Sequence, residues 1–563
     1  MQYKKSKFMG LRFFIKPLIL ILFLTTLNGY ALADGGRPQD DIYDKINKNL
    51  DEFGNVYKEI ALNYVDDIDM DKFVKAGING MLSTLDPYTV FYDEDSRDQI
   101  ELITTGKYGG IGITVEIRDS ILRVTDVLSG YEAQRKGLRR GDQIIEIDGQ
   151  NTSNIDLDKL RYVIRGPVGS QINVKVDRDG NILDFTLTRE EISLKNVSYY
   201  GYLTGDAQGI GYIKLDRFTR NAENEVENII KSLKSSGNLR GIVLDLRDNG
   251  GGLLDAATGI LNKLVKKNSL LVITKGKQED SEKKYFSKED PLAGDEVPLI
   301  VLINENTASA SEIVAGAIQD LDRGVIVGSK SFGKGLVQQI KDINNDTQLK
   351  ITNQRYFTPS GRWIQSKDYF TENKSGVFLN TSQFLQKEFR TLNGRTVYAN
   401  GGITPDVEVD VKPESEVHQA LVNKDMFFKY ADYYLESHPG VNVVTVDDVV
   451  FQDFKNFLSS YGFNYESKAE KKVNELKDMA NNKDFSSDYM TYLDKIMQEV
   501  ESSESGELES AREEIIRSIS EEINKRLVEE FAQIEATFPT DKQLQKAVNI
   551  INDPAEYNRL LSK

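Results

Sequence analysis

The sequence contains no cysteine and only two histidines, and these scarcities exclude several kinds of catalytic site. Without cysteine there is no disulfide, no lipid attachment of the lipoprotein kind and no thiol nucleophile. The two histidines, His418 and His438, lie far along an acidic C-terminal stretch. A His-Glu-x-x-His zinc site is therefore excluded, and a serine–histidine–aspartate triad would need that stretch to return to the core. Lysine remains as the common base for a serine nucleophile.

Length and charge set broad limits on what the chain can be. Its 563 residues predict about three or four domains, and a content of 39% hydrophobic residues is that of an ordinary globular protein. The net charge of −17 argues against nucleic acid as a partner.

The N-terminus carries the pattern of a secretory signal. Basic residues between Lys4 and Lys16 precede the apolar run 18–24, and Ala31-Leu32-Ala33 follows it. This pattern predicts a signal peptide over residues 1–33 that is removed near Asp34, and therefore an exported protein of the periplasm or cell envelope. If the signal stayed uncleaved, it would tether the protein to the membrane.

The strongest candidate for a catalytic site begins with the apolar run 299–303. This run predicts a buried parallel strand, and Ser309 and Ser311 follow it at the turn into a helix of small apolar residues. The first N–H groups of a helix have no intrahelical partner and can stabilise an oxyanion, so the turn suits a nucleophile. The alternative is that both serines are only helix caps.

Lys334 is the candidate base for that serine, in the glycine-flanked loop 331–335. If the chain is extended there, Gln338 points to the same side, where its amide can accept a hydrogen bond from the lysine amine. To act as a base, a lysine with a pKa of about 10.4 must have that pKa lowered by roughly three units. Burial beside Gly335, Leu336 and Val337 is expected to supply this shift.

Six ordered motifs resemble those of the C-terminal processing peptidases, also called tail-specific proteases. They are Leu85–Thr89, Asp245–Gly252, Ser309–Glu312, Phe332–Gln338, Tyr356–Arg362 and Gly401–Asp406, and the match as a whole runs from about residue 40 to about residue 410. The resemblance implies a serine endopeptidase that needs no cofactor and no metal ion. It also implies that Ser309 is the nucleophile, Lys334 the general base and Gln338 its orienting partner. The N–H groups of Ala310 and Gly251 would form the oxyanion hole.

Residues 105–190 resemble a PDZ domain, most clearly at Gly137–Gly149. Such domains add the C-terminal end of a peptide as an extra strand and hold its carboxylate with backbone N–H groups. The predicted binding segment is Gly109-Gly110-Ile111-Gly112-Ile113, and the implied partners are proteins with accessible C-termini. Arg165 is a candidate for coupling an occupied groove to the active site. A PDZ fold with a blocked groove is the alternative.

The alternation of predicted strands and helices from residue 199 to 340 indicates an α/β core with a largely parallel sheet. The predicted fold is α/β multidomain: an α/β protease core with an inserted PDZ-like β-rich domain and helical regions at both ends. Those end regions either pack on the rest of the chain or pair with a second subunit or a regulatory partner. The predicted segments are the signal peptide 1–33, an N-terminal helical region 34–104, the PDZ domain 105–190, the protease core 191–410 and an acidic helical extension 411–563.

Two functions of other classes compete with the protease. Gly328-x-x-x-x-Gly333-Lys334 matches most of a phosphate-binding loop after a strand, which would make the chain a nucleotide-binding protein. Gly335 stands where that motif needs Ser or Thr for magnesium, and residues 336–340 are more typical of a strand than of the required helix. The second alternative is an inactive PDZ scaffold, against which the joint presence of Ser309, Lys334 and Gln338 argues.

Overall fold

The computed structural model describes residues 38–93, 96, 98–118, 121–153, 163–178, 180–367, 369, 387–409, 415–481, 487–504, 506–528 and 530–562. The predicted signal peptide, residues 1–33, lies outside these ranges. No helix in the described ranges is long and apolar enough to span a membrane. The chain divides into two compact units, one ending at Gly77 and the other beginning at Ile78.

The first unit is helical, as its sequence pattern predicts. It contains α1 (Pro38–Asn63) and the start of α2 (Met70–Leu82), and Tyr57 stacks on Phe73 with ring centres 5.8 Å apart. The apolar residues Ile42, Ile46 and Leu50 recur on α1 at spacing four, which places them on one face. All three are exposed, so α1 presents an apolar stripe to solvent.

The second unit begins with the last residues of α2, and a short strand and a β-rich region that covers the predicted PDZ domain follow. Its elements are β1 (Val90–Tyr92), α3 (Asp98–Thr105), β2 (Lys107–Gly110), β3 (Ile113–Arg118), β4 (Ile121–Val127), α4 (Glu132–Lys136), β5 (Gln143–Ile147), β6 (Gln150–Asn151), β7 (Gln171–Arg178), β8 (Asn181–Thr188) and β9 (Glu190–Ser193). An antiparallel sheet has the order β3-β4-β5-β7-β8 with β6 beside β5, while β2 pairs with β9. Ile172, Val174 and Val176 alternate with polar residues along β7 and are buried, which gives this region its own core.

The next region is the predicted α/β core. Its elements are β10 (Val197–Tyr202), β11 (Ile210–Leu215), α5 (Ala222–Ser236), β12 (Gly241–Asp245), α6 (Leu254–Asn262), β13 (Leu270–Gly276), β14 (Lys283–Phe286), β15 (Leu299–Ile303), α7 (Ala310–Asp320), β16 (Val325–Gly328), β17 (Leu336–Asp342), β18 (Gln348–Phe357), β19 (Lys387–Arg390), β20 (Thr396–Ala399) and β21 (Val407–Glu408).

The central sheet of this core is largely parallel, as predicted. Its order is β10-β11-β12-β15-β16-β21, and only the β10–β11 pair is antiparallel. All residues of β12 and β15 are buried because both faces of the sheet are covered. A second, antiparallel sheet has the order β1-β18-β13-β14, with β17 also paired to β18. Through the β1–β18 pair, this sheet brings the early motif Leu85–Thr89 next to the hairpin that follows Lys334.

The C-terminal region is helical. Its helices are α8 (Glu416–Asn423), α9 (Met426–Ser437), α10 (Asp448–Tyr461), α11 (Lys468–Asn481), α12 (Ser487–Glu504), α13 (Glu507–Ser510), α14 (Arg512–Leu527), α15 (Glu530–Thr537), α16 (Lys542–Asn552) and α17 (Pro554–Leu561).

These helices divide between two hydrophobic cores. Phe451, Phe454 and Ile519 belong to a core that α8, α9, α10 and α14 build among themselves. Leu544 and Val548 of α16 instead pack on one face of the central sheet. The prediction grouped residues 411–563 as one extension, but its last helices complete the protease core, because the sheet would otherwise leave an apolar face uncovered.

Candidate active site

Ser309 lies at a strained turn between β15 and α7. Its backbone has φ 57° and ψ −114°, a combination that a residue with a side chain rarely adopts. The turn is held by Asn249, whose carbonyl accepts a hydrogen bond from the Ala308 N–H at 3.0 Å. Ser309 is half-buried, whereas Ala308 and Ala310 on either side are buried. A sharp strand-to-helix turn of this kind presents a serine hydroxyl at the edge of a sheet in other hydrolases.

Ser311, the other serine of the motif, has a structural role. It is completely buried, and its Oγ donates a hydrogen bond to the Asn249 carbonyl at 2.9 Å. A buried hydroxyl that is committed to a backbone carbonyl is a poor nucleophile. The structure therefore favours Ser309 over Ser311.

Glu312 joins the serine turn to the lysine loop. Its Oε2 accepts hydrogen bonds from the N–H groups of Ser309 at 2.8 Å and Lys334 at 2.9 Å. Its Oε1 accepts from Ser331 Oγ at 2.6 Å and from the Gly333 N–H at 2.7 Å. The carboxyl group is fully buried, and burial raises its pKa although the four hydrogen bonds act in the opposite direction.

Glu312 was not predicted to be a functional residue. One signal for it was present, because Glu312 is the single charged residue at the start of an otherwise apolar helix, 310–318. A charge in such a place is rarely buried unless it has several hydrogen-bond partners.

Lys334 lies in the expected loop and has the expected direction of pKa shift. Burial and, after it, the nearby positive charge of Lys350 together lower the pKa of Lys334 to about 8. Its Nζ lies 4.1 Å from the centre of the Tyr88 ring. Within the described part of the chain, this Nζ makes no hydrogen bond and no ion pair. Lys334 is followed by strand β17 and not by a helix, which argues against the phosphate-binding alternative.

Gln338 does not bond to Lys334 as the prediction had it. Its Nε2 donates to Thr352 Oγ1 at 3.0 Å, and Thr352 Oγ1 donates to Asp86 at 3.1 Å. The prediction assumed an extended chain from Lys334 to Gln338, but β17 begins only at Leu336 and its pairing with β18 shifts between Val337 and Gln338. The irregularity breaks the alternation on which the prediction depended.

The two predicted oxyanion-hole residues are neighbours in space. A Cβ atom on Gly251 would lie 2.8 Å from the Ala310 nitrogen and 2.9 Å from the Ser309 Cβ, so only glycine fits there. The Gly251 N–H, however, donates to the Asn249 side chain at 2.8 Å. In this conformation Asn249 therefore engages the Gly251 N–H, and the role of Gly251 and Ala310 as the oxyanion hole stays a prediction.

The predicted peptide-binding segment leads into an edge strand. Gly109 and Gly110 belong to the β2–β9 pair, and a Cβ on Gly109 would lie 1.9 Å from the Gly166 carbonyl oxygen. Ile111 is buried, Gly112 has a positive φ of 82°, and Ile113 begins β3 at the edge of the described sheet. An edge strand directly after a glycine turn is the arrangement that strand addition requires.

Arg165 lies next to this segment. Its guanidinium carbon is 4.5 Å from the centre of the Tyr108 ring on β2. The predicted coupling of Arg165 to the active site stays a prediction.

Comparisons with known families agree with this order of domains. Four family profiles match the chain in sequence: the activating protease CtpB N-terminal domain at residues 32–96, the PDZ domain at 99–177, peptidase family S41 at 209–372, and the C-terminal helical domain of probable PDZ-proteases at 417–551.

Individual relatives carry related names. The carboxy-terminal-processing protease of Bartonella bacilliformis is 37% identical over 323 residues, which cover 56% of this chain and 73% of that protein. The carboxy-terminal processing protease CtpA of Bacillus subtilis is 29% identical over 350 residues, which cover 62% of this chain and 72% of that protein. Among solved structures, the photosystem II D1 C-terminal processing protease is 24% identical, with 64% of this chain and 93% of that chain covered and a TM-score of 0.37. The chain therefore belongs to the C-terminal processing proteases of peptidase family S41, and it is a serine-type peptidase with a PDZ domain.

Proposed function

We propose that the protein is an exported endopeptidase in which Ser309 attacks the peptide bond and Lys334 is the general base. The observation that carries this proposal is the position of Lys334, which is bound to the serine turn through Glu312 and has a pKa lowered to about 8. At that pKa an appreciable fraction of the amine is neutral near physiological pH, as a general base must be.

The chemistry follows from these two groups. Lys334 Nζ takes the proton of Ser309 Oγ as the oxygen attacks the scissile carbonyl carbon, and the carbonyl oxygen becomes an oxyanion. Collapse of this intermediate breaks the C–N bond, and Lys334 returns the proton to the leaving amine. Water then attacks the acyl-enzyme with Lys334 again as base, which releases the new C-terminus and restores Ser309.

We interpret the described conformation as the resting state of this enzyme. Lys334 Nζ lies over Tyr88, and the Gly251 N–H is bonded to Asn249. No hydrogen bond joins Lys334 Nζ to Ser309 Oγ among the described residues, so catalysis then needs the amine to engage the hydroxyl and the glycine loop to turn an N–H group toward the oxyanion. A substrate that binds the engaged conformation better would shift the population toward it.

Substrate selection is proposed for the PDZ domain. The edge strand β3 and the glycine turn before it support binding of an extended peptide that ends in a free carboxylate. The substrate class would be proteins with accessible C-termini.

Location and assembly belong to the same proposal. The basic and apolar pattern of residues 1–33 supports export to the periplasm or cell envelope. The exposed apolar stripe on α1 supports a homodimer or a regulatory partner at the N-terminal region.

The test is cleavage of an unfolded protein by the purified enzyme and its variants. Ser309→Ala and Lys334→Ala are each expected to reduce kcat by at least about 10⁴-fold, and the double variant should lose no more, because the two groups act as one unit. Circular dichroism should show the fold unchanged. Full activity of Ser309→Ala together with loss of activity in Ser311→Ala would overturn the assignment of the nucleophile.

A further inference from the structure

The Lys334 ammonium group lies over the Tyr88 ring. The distance from Nζ to the ring centre is 4.1 Å, within the range where a cation is attracted to the negative face of an aromatic ring. The attraction exists for the charged amine and is largely lost for the neutral amine. The ring therefore stabilises the protonated lysine in this position and hardly stabilises the deprotonated lysine.

Tyr88 itself is held firmly. Its N–H donates to Asp86 Oδ1 at 2.9 Å, and the Thr89 N–H donates to the same oxygen at 3.0 Å, which closes a tight turn around the buried Asp86. At the other end, the Tyr88 hydroxyl lies 3.0 Å from the Tyr369 hydroxyl, and the two rings pack edge to face. A ring fixed at both ends gives Lys334 a defined resting place.

The charges around Lys334 come from three other elements. Burial is the largest influence on the Lys334 pKa and lowers it, and Lys350 on β18 lowers it further. Asp86 in the early turn and Glu312 on α7 act in the opposite direction. None of these groups lies in a hydrogen bond or ion pair with Nζ among the described residues, so the ring is the direct contact.

We propose that Tyr88 is a positioning residue that holds protonated Lys334 over its ring in the resting enzyme, where Nζ makes no hydrogen bond to Ser309 among the described residues. This inference rests on the proposed role of Lys334 as general base. Loss of the proton releases the amine from the ring, so the base becomes free to reach Ser309 only in the form that can accept a proton. The same ring also lowers the fraction of lysine that is deprotonated at a given pH.

The test changes the electronics of the ring and keeps its shape. One variant replaces Tyr88 with phenylalanine (Tyr88→Phe). A second variant carries pentafluorophenylalanine at position 88, introduced through nonsense suppression. Both rings fill nearly the same space and neither has the hydroxyl, but the face of the fluorinated ring is no longer negative. Tyr369→Phe serves as the control for loss of the hydroxyl contact alone.

The first readout is the pKa of Lys334 measured by NMR on protein with ¹³C-labelled lysine side chains. The measurement uses the Ser309→Ala background, and Lys334→Arg identifies the signal. Fluorination is expected to lower this pKa by about one unit relative to Tyr88→Phe, which corresponds to a tenfold change in the protonation equilibrium. Tyr88→Phe and Tyr369→Phe should leave it within a few tenths of a unit of the parent. An unchanged or raised pKa in the fluorinated protein would overturn the proposal.

The second readout is the acidic limb of kcat/KM in the same ring variants with Ser309 intact. The limb should move to lower pH by the same amount in the fluorinated enzyme, and a limb that stays in place would also overturn the proposal.

Failure of the proposed function would give a different result from failure of the proposal about Tyr88. If Lys334→Ala cleaved substrate at the parent rate while fluorination still moved the NMR titration, Lys334 would not be the base, although the contact with Tyr88 would stand.

Discussion

At the scale of single residues, the buried carboxyl group of Glu312 fixes the backbone on both sides of the proposed dyad. One oxygen accepts from Ser309 and Lys334, so the nucleophile and the base are attached to the same atom through their main chains. Tyr356 adds a second connection, because its hydroxyl donates to the Ser309 carbonyl at 3.2 Å and its N–H donates to the Gly335 carbonyl at 3.1 Å. These contacts hold the backbones in place and leave the Lys334 side chain to move.

A prediction at this scale concerns the positive charge of Lys350. Lys350→Gln removes a charge that disfavours protonated Lys334, so the Lys334 pKa should rise from about 8 toward its ordinary value. More lysine is then protonated at a given pH, and the acidic limb of kcat/KM should move to higher pH. Lys350→Arg keeps the charge and is the matched control. A limb that moved to lower pH, or one that moved equally in both variants, would contradict this electrostatic account.

The sequence revealed the types of residue at the site better than their contacts. Ser309 and Lys334 were predictable because a strand-to-helix turn and a glycine-flanked loop are local patterns. The bonds of Gln338 and Gly251 were not predictable, because one depends on a shift in strand register and the other on the Asn249 side chain. Glu312 was missed as a functional residue because its partners come from a loop about twenty residues away.

At the scale of secondary-structure elements, position in the sheet decides what each strand can do. β15 has neighbours on both edges and buries every residue, so it serves only to place the Ser309 turn. β3 pairs with β4 on one side and lies at the edge of the described sheet. The apolar run 299–303 made β15 predictable, whereas no local pattern distinguishes an edge strand from an inner one.

A second prediction follows from this edge position. A peptide with a free C-terminus is expected to bind the PDZ domain of the full chain about 10- to 100-fold more tightly than the same peptide with an amidated C-terminus, because amidation removes the anion that backbone N–H groups would hold. Fluorescence anisotropy on the Ser309→Ala protein measures this without cleavage. Equal affinities would show that the domain does not recognise C-termini.

At the scale of the whole second unit, the PDZ domain rests on the C-terminal helical region. Arg123 on β4 forms an ion pair with Asp425 at 3.1 Å, and both side chains are almost completely buried. Phe428 on α9 lies against Gly141, where a Cβ atom would come within 2.5 Å of the ring. The guanidinium carbon of Arg526 on α14 lies 4.3 Å from the centre of the same ring. The sequence predicted a helical extension over residues 411–563, but it did not indicate which surface these helices contact, so the contact with the PDZ domain could not be predicted.

The last prediction tests whether this ion pair holds the PDZ domain in place. Asp425→Asn removes one charge without changing shape, and asparagine tolerates the left-handed backbone of this position, where φ is 58°. It leaves Arg123 buried without a counter-charge, which should weaken the contact by about 1 to 3 kcal/mol. Hydrogen exchange should then become faster in both β4 and the start of α9.

Two further variants separate this contact from general destabilisation. Glu146→Gln breaks a half-exposed pair with Lys175 inside the PDZ domain and should cost about 1 kcal/mol or less, without faster exchange in α9. Adding Arg123→Gln to Asp425→Asn removes the uncompensated charge and should restore part of the protection, since the cost comes from the unpaired guanidinium and not from the loss of the pair itself. If the effects of the two substitutions on this contact were simply additive, Arg123 and Asp425 would not be energetically coupled. The contact of Phe428 with Gly141 would then have to hold the PDZ domain in place.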